Sequence, residues 1–173
     1  LTGLPNRLSL MNRLRQQIAQ PAPGCLLFCD LDDFKRINDN FGHSQGDAIL
    51  CQLAQRITSA IGHHCFFARL AGDEFILLLP GYSLKQAHDV AEVIRLAMAA
   101  PFEIDGHQLF INASVGISLF PSDALSAEQL LRNADSALFK AKSAGREGYA
   151  LYTEELTAHA QYRIEVASDL RRA

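Results

Sequence analysis

The sequence predicts an α/β domain of the α+β kind, with a mixed, mostly antiparallel central sheet of about five strands and helices packed on its faces. Three observations lead there. Amphipathic helical stripes alternate with short apolar runs along the chain. Two of the intervals between helices carry hairpin signals rather than single strands. One run, from Cys25 to Cys29, is continuously apolar, as a strand buried on both faces must be.

The elements follow in order. After Pro5-Asn6, Leu10, Met11, Leu14 and Ile18 recur on one helical face, with Asn6 as the N-cap. Cys25-Leu26-Leu27-Phe28-Cys29 is the first strand. Ile49, Leu50, Leu53, Ala54, Ile57, Ala60 and Ile61 make a second stripe, in a helix expected to begin near Asp47 after a loop. Cys65 to Leu70 and Phe75 to Leu79 flank the turn Ala71-Gly72-Asp73-Glu74 as a hairpin. Ala87, Val90, Ala91, Ile94, Ala97 and Met98 form a third stripe. Phe102 to Ile104 and Gln108 to Phe120 flank Asp105-Gly106, a strong hairpin signal. Leu130, Leu131, Ala134, Ala137, Leu138 and Ala141 define the fourth helix, from near Ser126, and Tyr149 to Tyr152 reads as an edge strand. From Glu154 to Ala173 the chain is polar with sparse apolar residues, like a helix leaving the domain.

At 173 residues, 49% of them hydrophobic and 20% charged, the chain can bury a full core as one domain. Its 16 basic and 19 acidic residues give a net charge of −3, so no global field attracts a polyanion and no nucleic acid partner is expected. Cys25, Cys29, Cys51 and Cys65 lack CxxC or zinc-like spacing and read as small buried hydrophobes in a reducing compartment. His63-His64 reads as a surface turn. No apolar run approaches the ~20 residues that cross a bilayer, so no membrane contact is expected. A start at Leu1, within a turn-like stretch and without methionine, suggests a piece of a longer protein.

Acidic residues concentrate where strands end. Asp30, Asp32 and Asp33 follow the first strand, and Asp73 and Glu74 sit at the tip of the first hairpin. Carboxylates beside a buried strand are costly unless a cation holds them, and hard oxygen ligands suit Mg²⁺. An acidic turn taken singly is commonly a solvated turn; the paired placement favours the metal reading. Lys142 and Arg146, four apart, end the fourth helix on a shared face, with Gly145 suited to the C-terminal cap. They either complement the helix dipole, worth ~0.3–1 kcal/mol, or grip a triphosphate with Lys35. Asn38 and Asp47 can together read a base edge, or cap the helix that follows.

Together these residues resemble the GGDEF family of diguanylate cyclases. The motifs are Leu1-Thr2-Gly3-Leu4-Pro5-Asn6-Arg7; the stretch from Asp30 to His43 with Gly46-Asp47; Arg69-Leu70-Ala71-Gly72-Asp73-Glu74-Phe75; and Ala134-Asp135 to Lys142 with Gly145-Arg146. The resemblance implies a palm-like sheet similar to nucleotide cyclase catalytic domains, over residues 1–152. It implies that Asp30, the Leu31 carbonyl, Asp73 and Glu74 hold Mg²⁺, with Mn²⁺ as the alternative. Asp73 or Glu74 would assist the attacking 3′-hydroxyl; Asn38 and Asp47 would bind guanine. Lys35, the backbone near Phe34, Lys142 and Arg146 would hold the phosphates. Two domains, each with one GTP, would face each other as a homodimer and release cyclic di-GMP and two pyrophosphates.

Three departures from the family pattern matter. Ala71 stands where the first glycine of the signature turn, Ala71-Gly72, belongs, and glycine there permits close approach or positive φ. Gly62-His63-His64-Cys65 replaces the Arg-x-x-Asp of the product-inhibition motif, so no inhibitory site is expected. Glu147 replaces an asparagine. The stretch 153–173 resembles the helical connector into an EAL-type phosphodiesterase domain, which implies intramolecular EAL and upstream sensor domains in a cytoplasmic, or membrane-anchored, parent. The alternative is a weak or inactive GTP-binding regulatory domain that controls the attached phosphodiesterase.

Overall fold

Gly24–Leu31 forms β1, the central strand of a five-stranded sheet. The computed structural model describes residues 1–145 and 148–155. Before β1 comes α1 (Arg7–Ile18), and after it α2 (Phe34–Phe41), α3 (His43–Ile61) and a 3₁₀ turn at Gly62–His64. Then follow β2 (Phe66–Ala71), β3 (Glu74–Pro80), α4 (Leu84–Ala99), β4 (Phe102–Ile104), β5 (His107–Leu109), β6 (Ala113–Phe120), α5 (Ala127–Ser143) and β7 (Gly148–Leu151). The sheet order is β2-β3-β1-β6-β7, antiparallel throughout except for β6 with β7. The expected mixed, mostly antiparallel sheet is what forms.

The unbroken apolar run of β1 has a simple cause: both faces of the sheet are covered. Cys25, Leu27, Cys29 and Leu31 point into one core with Ile49, Leu53 and Ile57 of α3 and Ala91 and Ile94 of α4. Leu26 and Phe28 point into the other with Leu10 and Leu14 of α1 and Leu130 and Ala134 of α5. Local signals fix the starts of α1, α4 and α5. The Asn6 side chain accepts from Ser9 N–H at 3.0 Å, and Ser126 caps α5 through Gln129 N–H. At α4, Ser83 and Gln86 form a capping box.

Two sequence expectations are corrected. Asn38, Asp39 and Asn40 lie in α2, and α3 begins at His43, four residues before Asp47. The helical signal of α2 is weak locally, because only Phe34 of its eight residues is buried. The second hairpin closes at Asp105-Gly106 as expected, but its far arm is not one strand. β4 and β5 make a separate two-stranded sheet, and β6 starts afresh at Ala113 in the main sheet. The break at 110–112 buries Ile111, exposes Phe110 and lets the Asn112 carbonyl accept from Asp32 N–H at 2.9 Å. The helix α5 ends at Ser143, with Ala144 as its C-cap. Arg146 lies outside the described residues, as does almost all of the expected connector over 153–173.

All four cysteines are free thiols; Cys25 and Cys29 are buried as expected, while Cys51 and Cys65 are only half-buried. Burial, aided by the charge of Asp123, pushes the Cys25 thiol up from 9.0 to about 11. Burial first, then Asp30 and Asp32, pushes Cys29 up to about 12. A thiol whose proton is held more tightly in the folded state stabilises the fold fully below its unfolded pKa and loses that contribution as pH rises through the folded one. The melting temperature should therefore fall as pH climbs from 9.0 toward 11 and beyond. Cys25→Ala should flatten the lower part of that limb in circular-dichroism melts.

No helix among the described residues is long and apolar enough to cross a membrane.

Candidate functional site

The antiparallel register sets Asp30 of β1 directly opposite Glu74 of β3, with Ser114 of β6 opposite on the other side. This brings the two acidic groups that are 44 positions apart in the chain to one end of the sheet. Asp73 precedes Glu74 on the tight turn from β2 to β3. α5 packs across β6 and β1, and Lys142 in its last turn makes an ion pair and hydrogen bond to Asp30 Oδ1. The Asp30 side chain is 13% exposed and that of Lys142 32%.

Electrostatics reflects the crowding. Asp30 is shifted above the usual carboxylate range, chiefly by burial, with Asp73 adding to it and Lys142 opposing it. Glu74 is also raised, by burial first and then by the charges of Asp30, Asp135 and Asp73. Asp135, exposed on α5 two turns before Lys142, was not among the residues expected at the site. Its spacing of seven from Lys142 on one helix was the available signal.

The strand-to-helix connection after β1 is pinned from β6. Ser114 Oγ donates to Asp32 Oδ1 at 2.8 Å, and Asp32 N–H donates to the Asn112 carbonyl. Asp33 then takes a left-handed conformation at φ 57° and starts α2. Leu31 and the Phe34 side chain are buried, so only their backbone groups can meet a ligand. The first N–H groups of a helix lie outside its own hydrogen-bond ladder and suit an anion. Lys35, in the same first turn, is exposed. A groove of about 430 Å³ runs along α2 between Arg36, Asn40, Phe41 and Phe110; Asp32 and Asp33 border it, whereas Asp30, Asp73 and Glu74 do not line it.

Asn38 of α2 lies against Gly46 of α3, next to Asp47, which is exposed. A Cβ at position 46 would stand 1.9 Å from Asn38 Oδ1, so the two helices meet this closely only because residue 46 has no side chain. The signature turn also has a clear geometry. Gly72 carries the positive φ, +49°, whereas Ala71 ends β2 outside the left-handed region and is exposed. The Ala71 methyl therefore causes no backbone strain. Arg69 Nε donates to the Gly72 carbonyl at 2.8 Å, and Arg69 N–H donates to the Pro5 carbonyl at 3.0 Å, which ties the turn to the N-terminal segment. The stretch replacing the inhibitory motif forms the 3₁₀ turn at the opposite end of β2, where Cys65 Sγ lies 3.9 Å from Tyr82 Oη.

Among the described residues, no three His, Cys, Asp or Glu side chains close on one point as a ready-made metal cage. Asp30 and Glu74, paired across β1 and β3, are hard oxygen donors of the kind Mg²⁺ takes.

This chain belongs to the GGDEF family: the family described as "Diguanylate cyclase, GGDEF domain" matches residues 1–148. It is 40% identical, over its whole length, to the bifunctional diguanylate cyclase/cyclic di-GMP phosphodiesterase MucR of Pseudomonas aeruginosa. It is 43% identical, over 85% of its length, to the diguanylate cyclase DgcP of the same organism. The chain spans 26% and 22% of the length of these two proteins. The solved GGDEF-only fragment of TpbB (YfiN), also from P. aeruginosa, is 35% identical and superposes with a TM-score of 0.87, covering 92% of this chain and 96% of the fragment.

Proposed function

We propose that the chain is a diguanylate cyclase domain, which condenses two GTP into cyclic di-GMP with release of two pyrophosphates, as a Mg²⁺-dependent homodimer. The observation that carries this reading is the convergence of Asp30, Asp73-Glu74 and Lys142 from three separate elements at one end of the sheet. Bound Mg²⁺ would supply neutralisation of the triphosphate charge. Asp30, Asp73, Glu74 and the Leu31 carbonyl are the groups that would hold it. Asn38 and Asp47 would orient guanine by donor–acceptor pairing. Lys35, the N–H groups at the start of α2, Lys142 and Arg146 would hold the β- and γ-phosphates.

Each 3′-oxygen attacks the α-phosphorus of the GTP on the facing domain. The new P–O bond forms as the bond to the β-phosphate breaks, pyrophosphate leaves, and the hydroxyl proton passes to a carboxylate. Glu74, whose affinity for a proton is raised by burial, is suited to receive it. A product with two equivalent linkages matches two identical domains related by a two-fold axis. EAL and upstream sensor domains belong to this proposal, supported by the bifunctional name of MucR. So does a cytoplasmic location, where GTP is available.

A second reading, a GTP-binding domain that regulates an attached phosphodiesterase without turnover, rests on Ala71 in the signature turn. One experiment separates them: incubate the chain at high concentration with GTP and Mg²⁺, and look for cyclic di-GMP by chromatography. Product supports the cyclase. GTP binding with no product at any protein concentration overturns it in favour of the regulator.

Gly46→Ala tests the guanine contact. Alanine favours a helix by about 0.8–1 kcal/mol over glycine, which offsets part of the crowding, and the clashing atom is the end of a side chain that can rotate away. The fold should survive with little change in melting temperature. GTP affinity should drop roughly tenfold, the loss of about one good polar contact, as measured by calorimetry.

A further inference from the structure

We propose that Lys142 is the resident counter-ion of Asp30, holding its carboxylate until incoming nucleotide phosphates draw the ammonium away and free Asp30 for the metal. This deepens the cyclase reading and rests on its assignment of Asp30 as a metal ligand and Lys142 as a phosphate contact. The geometry supports both halves of the exchange. Asp30 sits at the end of a buried strand with its side chain only 13% exposed, among Asp32, Asp73 and Glu74, so an empty site without a cation would be costly. Among the described residues Lys142 is the ion-pair partner that Asp30 has. It can also leave: the side chain is 32% exposed, stands on the last turn of α5, and carries a compact charge on a flexible four-carbon stem.

Because this cation is tethered, it competes with a free metal ion at high effective concentration. Metal alone should bind weakly, and nucleotide should strengthen metal binding by withdrawing the competitor. By linkage the reverse must also hold. Asp30 and Lys142 thus make metal and triphosphate arrive as a pair.

The probe is Mn²⁺ alone, its free concentration read by electron paramagnetic resonance, with the 173-residue chain and no nucleotide. Lys142→Met should bind Mn²⁺ roughly tenfold more tightly than wild type, within the 5–150-fold span typical of coupled sites. Lys142→Arg keeps the charge and should bind as wild type does. Asp30→Asn combined with Lys142→Met should lose the gain, which locates it at Asp30. If Lys142→Met lacks a cooperative melt, Lys142→Gln serves the same comparison. Equal Mn²⁺ affinity in wild type and the neutral variants overturns the exchange, as does a gain that Lys142→Arg shares. Cyclic di-GMP formation by the wild type, read separately, reports on the cyclase assignment: product with no Mn²⁺ gain sinks only the exchange.

Discussion

Glu74→Gln should lower the rate of cyclic di-GMP formation by about 10²–10⁴-fold, the contribution expected of a positioned carboxylate acting as a base. GTP binding should persist, because Asn38, Asp47, Lys35 and Lys142, the described residues proposed above to hold guanine and phosphate, lie on α2, α3 and α5. The fold should not suffer. Glu74 is raised by burial and by the neighbouring charges of Asp30, Asp135 and Asp73, so its ionised form is the one the folded state disfavours. Such a group destabilises the fold once pH exceeds its unfolded pKa, and glutamine removes that cost. A melt at neutral pH should therefore show an unchanged or higher transition temperature, and the difference should shrink as pH falls into the carboxylate range. Undiminished product formation by Glu74→Gln would remove Glu74 from the chemistry.

Gly116→Ala should be the most damaging small substitution in the core. Gly116 of β6 faces α5, and a Cβ there would lie 2.1 Å from the Ala134 carbonyl oxygen and 2.3 Å from Leu138 N. Both are backbone atoms in a helix, so no side chain can rotate away; α5 itself must lift from the sheet. Overpacking of this kind costs about 1–3 kcal/mol and at times more, and at this chain length each kcal/mol moves the transition by roughly 2–4 °C. A fall on the order of 10 °C is expected by calorimetry. Lifting α5 also moves Lys142 away from Asp30, so activity should fall with stability. Gly148→Ala is the control: Gly148 lies on neighbouring β7 with nothing within 4 Å of its would-be Cβ, and should leave the melt within about 2 °C.

Much of the molecule was readable from residue order. The helical stripes, the cap at Asn6, the helix start near Ser126, the turn at Gly72 and the apolar run of β1 are local patterns whose physics is complete within a few residues. The same holds for the acidic pairs and for the motifs that identify the family. α2 was missed because its one buried residue, Phe34, gives no periodic stripe; it forms by packing on α3 around Gly46. The second hairpin was overextended because nothing local marks Phe110-Ile111-Asn112 as a break; the backbone bond from Asp32 does.

What the sequence determined by itself is the list of elements and the chemical groups at their ends. Only the tertiary structure decided that β1 runs centrally between β3 and β6, that Glu74 stands opposite Asp30, and that Lys142 reaches Asp30 across 112 positions of chain. It also decided the standing of Ala71, whose methyl points to solvent while Gly72 alone takes the positive φ. The reason is physical. Propensity and periodicity act over one or two turns of chain, whereas strand order and side-chain meeting points follow from burying both faces of the sheet at once.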